Sequence, residues 1–284
     1  MNNQTLFSYI TSAFGTNTPK QQLDKMNNYF NFIYVITLPK RVEYVKETFK
    51  KMRITYTHFN AIVVTQDTKR KLLETGRLAR HNNLKNLGEL GCSLSHLTII
   101  ENFYKQTTKE NSSVFIFEDD IVLDTDYMKK LKTVMDNIPS DWDIINFSRC
   151  WADCGKDNMV GDLTGISRNA LCASAYAVTR KGARKIIQNA YPITDPIDIY
   201  YTNLMKRNPN VINIGGHIDL KGEPLIMYSA IPRIFKQLKS LPTTACKGTC
   251  NCDDIKEVRK SALNNNDSCK ECKYGVIKTY NRYT

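Results

Sequence analysis

Three consecutive acids, Glu118, Asp119 and Asp120, follow the apolar run Val114-Phe115-Ile116-Phe117. Carboxylates this close repel one another unless a cation or a proton relieves them. Their oxygens suit a hard divalent ion, and Mn²⁺ and Mg²⁺ both accept such donors. Neighbouring side chains on a strand point to opposite faces, so Glu118 and Asp120 can face a ligand together while Asp119 turns away. Asp120 is therefore the first candidate for a direct metal ligand and Glu118 the second. Asp119 stays a candidate because a tight turn after the strand can re-aim it. The plainer reading is a solvated acidic turn.

A second group with metal-ligand chemistry lies near the end of the sequence, as Cys246-x3-Cys250-x-Cys252 and Cys269-x2-Cys272. Two short cysteine clusters separated by a polar loop can supply tetrahedral thiolates, which makes these five candidate structural zinc ligands. Free thiols fit equally well. Disulfides are the weaker expectation without a secretion signal. The remaining four, Cys92, Cys150, Cys154 and Cys172, are scattered through the globular part.

The elements that must position these groups can be read from periodicity. Phe32 to Leu38 reads as a first strand, and Pro39 opens a helix with Val42, Val45, Phe49 and Met52 on its apolar face. A second strand is expected within 54–64 and a basic helix over 68–78. The next helix spans 88–105, with Cys92, His96, Ile99 and Phe103 on one face. The acidic strand follows, then a helix over 126–137 and a buried strand at 143–147. Residues 148–169 show little periodicity, and a connection that long is often functional. A strand at 173–178 leads to Thr179 as an N-cap and a helix to Asn189. A turn at 192–198 feeds a short helix, and short strands are expected at 211–214 and 223–228. Beyond Ile231 the pattern fades. Strands alternating with helices predict an α/β fold, a single mostly parallel sheet flanked by helices. Such sheets bind ligands beyond the carboxyl ends of their strands, where the acids sit.

Bulk properties narrow the function classes. A chain of 284 residues that is 42% hydrophobic can build one large domain or two small ones. No stretch approaches the roughly 20 apolar residues of a membrane helix. Met1 to Asn28 lacks the basic and apolar parts of a signal peptide and reads as a polar leader, so a cytoplasmic location is expected. The net charge of +12 could attract nucleic acid. However, the lysines are spread along the chain rather than gathered in a stripe with aromatics, which disfavours that class.

Several blocks together resemble glycosyltransferase family 25, which includes lipopolysaccharide and collagen galactosyltransferases. They are Tyr34-Val35-Ile36-Thr37-Leu38-Pro39-Lys40-Arg41, Phe59-Asn60-Ala61 and Gly88-Glu89-Leu90-Gly91-Cys92-Ser93-Leu94-Ser95-His96-Leu97. Phe117-Glu118-Asp119-Asp120, Tyr176-Ala177-Val178-Thr179-Arg180-Lys181-Gly182-Ala183 and Pro196-Ile197-Asp198 follow in the family's order. The resemblance implies a GT-A-type nucleotide-sugar-binding domain, here 29–235, between the leader 1–28 and a basic cysteine-rich extension 236–284. It implies a metal-dependent inverting transferase using Mn²⁺ or Mg²⁺. That enzyme would move galactose or glucose from a UDP-sugar to a hydroxyl of a glycan or hydroxylated protein. An inactive nucleotide-sugar or glycan-binding module on the same scaffold is the alternative.

Residue roles follow from the same resemblance. Asp198 matches the Pro-x-Asp aspartate and is the candidate general base, with Asp195 the near alternative. Either could instead cap a helix, and Asp195-Pro196 suits capping better. Thr37, Arg41, Glu89, Ser93, His96, Glu118 and Asp119 are the donor-binding candidates. Arg41 could equally be a solvated charge, and Cys92 and His96 could simply pack on the sheet. His217, after Gly215-Gly216, is a further candidate metal ligand. Trp151 could stack on a sugar, whereas Trp142 reads as core. Ile62-Val63-Val64 stands where the family often has Val-Asp-Gly, and Thr37 where it often has Asn, which weakens the expected recognition of ribose or base.

Overall fold

The computed structural model describes residues 26–122, 125–149, 158–167, 171–205 and 221–238. Most of the leader, Trp151, the strand expected at 211–214, His217, Cys246, Cys250, Cys252, Cys269 and Cys272 lie outside the described residues.

The elements in chain order begin with β1 (Phe32–Thr37), a 3₁₀ turn Pro39–Arg41 and α1 (Val42–Met52). Pro39 opens the turn, where its missing N–H costs nothing. Next come β2 (Thr57–Asn60), α2 (Gln66–Glu74) and α3 (Leu87–Gln106). Thr65 and Asn86 cap α2 and α3, each side-chain oxygen accepting a free N–H of the first turn. β3 (Ser113–Glu118), β4 (Ile121–Val122), α4 (Tyr127–Asn137) and β5 (Ile144–Asn146) follow. Then come β6 (Asn158–Gly161), β7 (Thr164–Ile166), β8 (Ala175–Thr179), α5 (Arg180–Asn189), α6 (Ile197–Leu204), β9 (Met227–Ala230) and β10 (Lys236–Gln237). Thr179 caps α5 as its sequence position predicts, accepting from the Gly182 N–H.

Eight strands form one sheet in the order β2-β1-β3-β8-β5-β9-β7-β6. β2, β1 and β3 are mutually parallel, as are β5 and β9; β8 and β7 run against their neighbours. The α/β fold with a mostly parallel sheet between helices is thus present. Period-2 alternation sorts each strand between two cores. Val114, Ile116, Tyr176 and Val178 pack with α3, α5 and α6 on one face. Phe115, Phe117, Ala175 and Ala177 pack with α1, α4 and Phe235 on the other. Trp142 packs against this second core, as expected.

Two details depart from the pattern read in the sequence. The featureless stretch 148–169 contains the hairpin β6–β7, whose second strand pairs with β9. These strands are short and rich in small residues, so only the neighbouring edge reveals them. Past Ile231 the chain does not simply fade: Ile234 and Phe235 are buried, and β10 pairs antiparallel with β4.

Candidate functional site

The parallel strands bring their carboxyl ends to one edge. Ile36 is in register with Glu118 and Thr37 with Asn60, so the acids emerge beside the turn that starts at Leu38. Alternation puts Glu118 on the same face as Val114 and Ile116, toward α3. Cys92 and His96 lie one turn apart on α3 and meet it there. Cys92 Sγ is 3.4 Å and His96 Nε2 3.3 Å from Glu118 Oε1. The imidazole is fully buried, and its Nδ1 lies 2.8 Å from the Tyr176 hydroxyl, which lies 2.8 Å from that of Tyr201. Burial pushes the Glu118 carboxyl up, but His96, Cys92 and Gln237 outweigh it and hold the group below its ordinary range. Burial, with Glu118 beside it, raises the Cys92 thiol well above its ordinary range.

Asp119 faces the turn after β1, where Arg41 reaches both it and Asp120. One Asp119 carboxyl oxygen accepts the Leu38 N–H at 2.7 Å and the other pairs with Arg41. Arg41 is buried, only 5% exposed, so it is not a solvated charge. The pair locks the acidic turn to the turn after β1.

Asp120 is the least satisfied acid. Its Oδ2 is 3.9 Å from the Arg41 guanidinium, and its Oδ1 is buried with no hydrogen-bond partner. Burial, then the charges of Glu118 and Asp119, push its carboxyl up to about 7 against the pull of Arg41 and Gln237. A buried oxygen without a partner, close to a second carboxylate, is a donor set that a divalent cation would complete.

Asp198 lies in the first turn of α6, near enough to Glu118 for the two carboxylates to interact. Its Oδ2 accepts the Cys172 N–H at 3.1 Å and its Oδ1 the Ile199 N–H at 2.8 Å. Burial raises its carboxyl, opposed by those N–H groups. Cys172 holds a left-handed backbone, φ 69°, and is disulfide-bonded, a pairing the sequence reading had disfavoured. Glu89 belongs to the same region. Burial raises its carboxyl, and the charge of Asp198 adds to the rise, although Lys85 N–H donates to it at 2.7 Å.

Three sequence candidates face elsewhere. Asp195 is buried and accepts from Asn83 at 2.7 Å, Thr194 at 2.8 Å and Asn203 at 3.2 Å, so its oxygens hold the turn before α6. Ser93 lines a small cavity with Leu97, Ile193, Asp195 and Tyr200 rather than meeting the acids. Thr37 is fully buried, its hydroxyl donating to the Val35 carbonyl.

Sequence reading missed two contributors. Tyr176 was a strand residue whose hydroxyl partner could not be foreseen, although its period-2 register with Val178 put it on the α3 face. Gln237 carried no signal; β10 brings its Nε2 within 3.1 Å of Glu118 Oε2.

Comparison with known proteins supports the family that the sequence blocks resemble. Residues 30–161 match the model for "Glycosyltransferase family 25 (LPS biosynthesis protein)". An Anopheles gambiae "Glycosyltransferase 25 family member" is 27% identical over 236 residues, 72% of this chain and 38% of that protein. A human "Procollagen galactosyltransferase 2" is 23% identical over 66% of this chain and 32% of its own length. A Rattus norvegicus "Probable inactive glycosyltransferase 25 family member 3" is 28% identical over 43% of this chain and 22% of its own. The chain thus spans between about a fifth and two fifths of the length of these relatives.

Proposed function

Because residues 30–161 belong to glycosyltransferase family 25, we propose that the protein is a metal-dependent inverting glycosyltransferase. It moves galactose or glucose from a UDP-sugar to a hydroxyl of a glycan or a hydroxylated protein side chain. The human relative's name supports galactose and a collagen-type acceptor among these.

The observation that carries this reading is the buried, unpartnered Asp120 Oδ1 beside Glu118 at the carboxyl ends of parallel strands. Both residues fit a hard divalent cation, Mn²⁺ or Mg²⁺, and would hold it. When bound, that ion supplies charge stabilisation to the departing nucleoside diphosphate. Arg41 and Asp119 fix the turn that presents Asp120. Asp198 takes the proton from the acceptor hydroxyl, and its raised carboxyl moves its pKa toward the working pH of a general base. Glu89, whose carboxyl feels the charge of Asp198, orients donor hydroxyls, while the buried His96 holds the Glu118 carboxylate in place.

The test is hydrolysis of UDP-galactose and UDP-glucose with and without Mn²⁺, in wild type and Asp120→Ala. The reading expects donor turnover that needs both the ion and Asp120; turnover indifferent to both defeats it. The name of the rat relative favours a second reading, a binding module without turnover. Calorimetric donor binding with no product over long incubation would select that one.

A further inference from the structure

We infer that Cys92, His96 and Glu118 form a zinc-class cation site, separate in chemistry from the oxygen-lined site proposed above and sharing Glu118 with it. The three ligand atoms lie within 4.8 Å of one another, with Glu118 Oε1 3.4 Å from Cys92 Sγ and 3.3 Å from His96 Nε2. Around a tetrahedral ion with bonds of about 2.0 Å to nitrogen and oxygen and about 2.3 Å to sulfur, neighbouring donors stand roughly 3.3–3.6 Å apart. Both Glu118 edges match that spacing.

The scaffold favours the same conclusion. Cys92 and His96 are one helical turn apart on α3, so the rigid helix fixes their separation. Glu118 comes from the end of β3, the sheet's third strand in spatial order. The Tyr176 hydroxyl lies on His96 Nδ1 and holds the ring with Nε2 toward Glu118. This is the outer hydrogen bond that ligating histidines characteristically make, and the Tyr201 hydroxyl behind it can accept the reoriented Tyr176 proton. A thiolate, an imidazole and one carboxylate make a set that prefers zinc over magnesium or manganese. Three protein donors leave a fourth position for water or a ligand. Since Glu118 Oε1 is one of the three, filling this site draws that oxygen away from the neighbouring oxygen-lined one.

The experiment uses the full chain under argon without added reductant. Co²⁺ replaces zinc as an optical probe, and its thiolate-to-metal charge-transfer band is followed to saturation in wild type and Cys92→Ser. The variant is near-isosteric, and a thermal melt confirms that it is folded. Other cysteines of the chain contribute equally to both proteins, so the difference isolates Cys92. The expected result is the loss of one cobalt equivalent in the variant. In wild type, mass-spectrometric mapping of iodoacetamide labelling is expected to show at least tenfold slower modification of Cys92 with stoichiometric Zn²⁺. An unchanged cobalt count, or a Cys92 that zinc leaves unprotected, overturns the site. Neither readout depends on glycosyl transfer, so its failure leaves the transferase reading standing.

Discussion

Gln237 Nε2 donates to Glu118 Oε2 over 3.1 Å, so a side chain from β10 closes the acidic end of β3. It reaches there because β10 pairs with β4 directly after the acids, Lys236 opposite Val122 and Gln237 opposite Ile121. Ile234 and Phe235 anchor the approach by burying into the second core.

That link should be measurable as stability. Gln237→Ala removes a neutral donor from a carboxylate, and the residue is exposed, so the loss should be about 1 kcal/mol. Chemical denaturation in EDTA should show the loss. Saturating Mn²⁺ should reduce it, because the cation then compensates the same oxygens. An equal loss under both conditions would mean that Gln237 acts only through the packing of β10.

Asp120 gives a pH prediction with a definite sign. Its carboxyl titrates near 3.8 in the unfolded chain and at about 7 in the folded one. Between those values the folded state keeps a proton that the unfolded chain has released. This contribution to stability is full below about pH 4 and is lost as pH rises through about 7. Without divalent cations the melting temperature should fall from about pH 5 to about pH 8. Asp120→Asn should flatten that slope and add about 1–3 kcal/mol at the upper end. The same variant should lose donor turnover, and Mn²⁺ should raise the melting temperature of wild type more at high pH than at low pH.

Asp198 and Asp195 separate a chemical role from a structural one. Asp195 satisfies three side-chain donors from inside the fold. Asp195→Ala should therefore cost about 3 kcal/mol or more in stability by leaving buried partners unpaired. Asp198→Asn keeps oxygen for one backbone N–H and removes the basic group. It should lower transfer by about 10²–10⁴-fold while donor binding by calorimetry stays near wild type and stability falls by about 1–2 kcal/mol, less than for Asp195→Ala. Asp195→Ala with a normal melt and lost turnover would exchange the two assignments.

Much of this arrangement was legible in the residues themselves. The run Val114 to Phe117 reads as a buried strand, whereas alternation does not foresee that Arg41 reaches both Asp119 and Asp120. Thr179 identified its own helix start. The hairpin β6–β7 and the strap β10 were not legible, because short strands without an apolar period are held by a neighbour's edge. Arg41 read as surface or ligand-facing, since nothing local shows that Asp119, 78 positions away, buries and pairs it. Ser93 shares a motif block with Cys92 and His96, and Asp195 directly precedes the Pro196–Asp198 block, so only the packing of α3 against α6 sorts their roles apart.

Gly91 sets how closely α3 can approach the chain after β2, and through that where Cys92 and His96 stand. A Cβ built there would lie 2.4 Å from the Ile62 carbonyl oxygen, a backbone atom that cannot swing aside. The same contact is stitched by Ser95, whose hydroxyl accepts the Ile62 N–H at 2.9 Å and donates to the Gly91 carbonyl at 2.7 Å. Gly91→Ala should gain about 0.8–1 kcal/mol in helix propensity but lose about 2–3 kcal/mol to overpacking, a net destabilisation. The helix must then retreat from the sheet edge, carrying His96 away from Glu118. Donor turnover should fall more steeply than stability predicts, even at temperatures where the variant is fully folded. Ser95→Ala, which loosens the stitch without adding bulk, should cost about 1–2 kcal/mol and leave turnover closer to wild type. A Gly91→Ala variant with wild-type melting would show that the backbone after β2 yields and that α3 is not held by this contact.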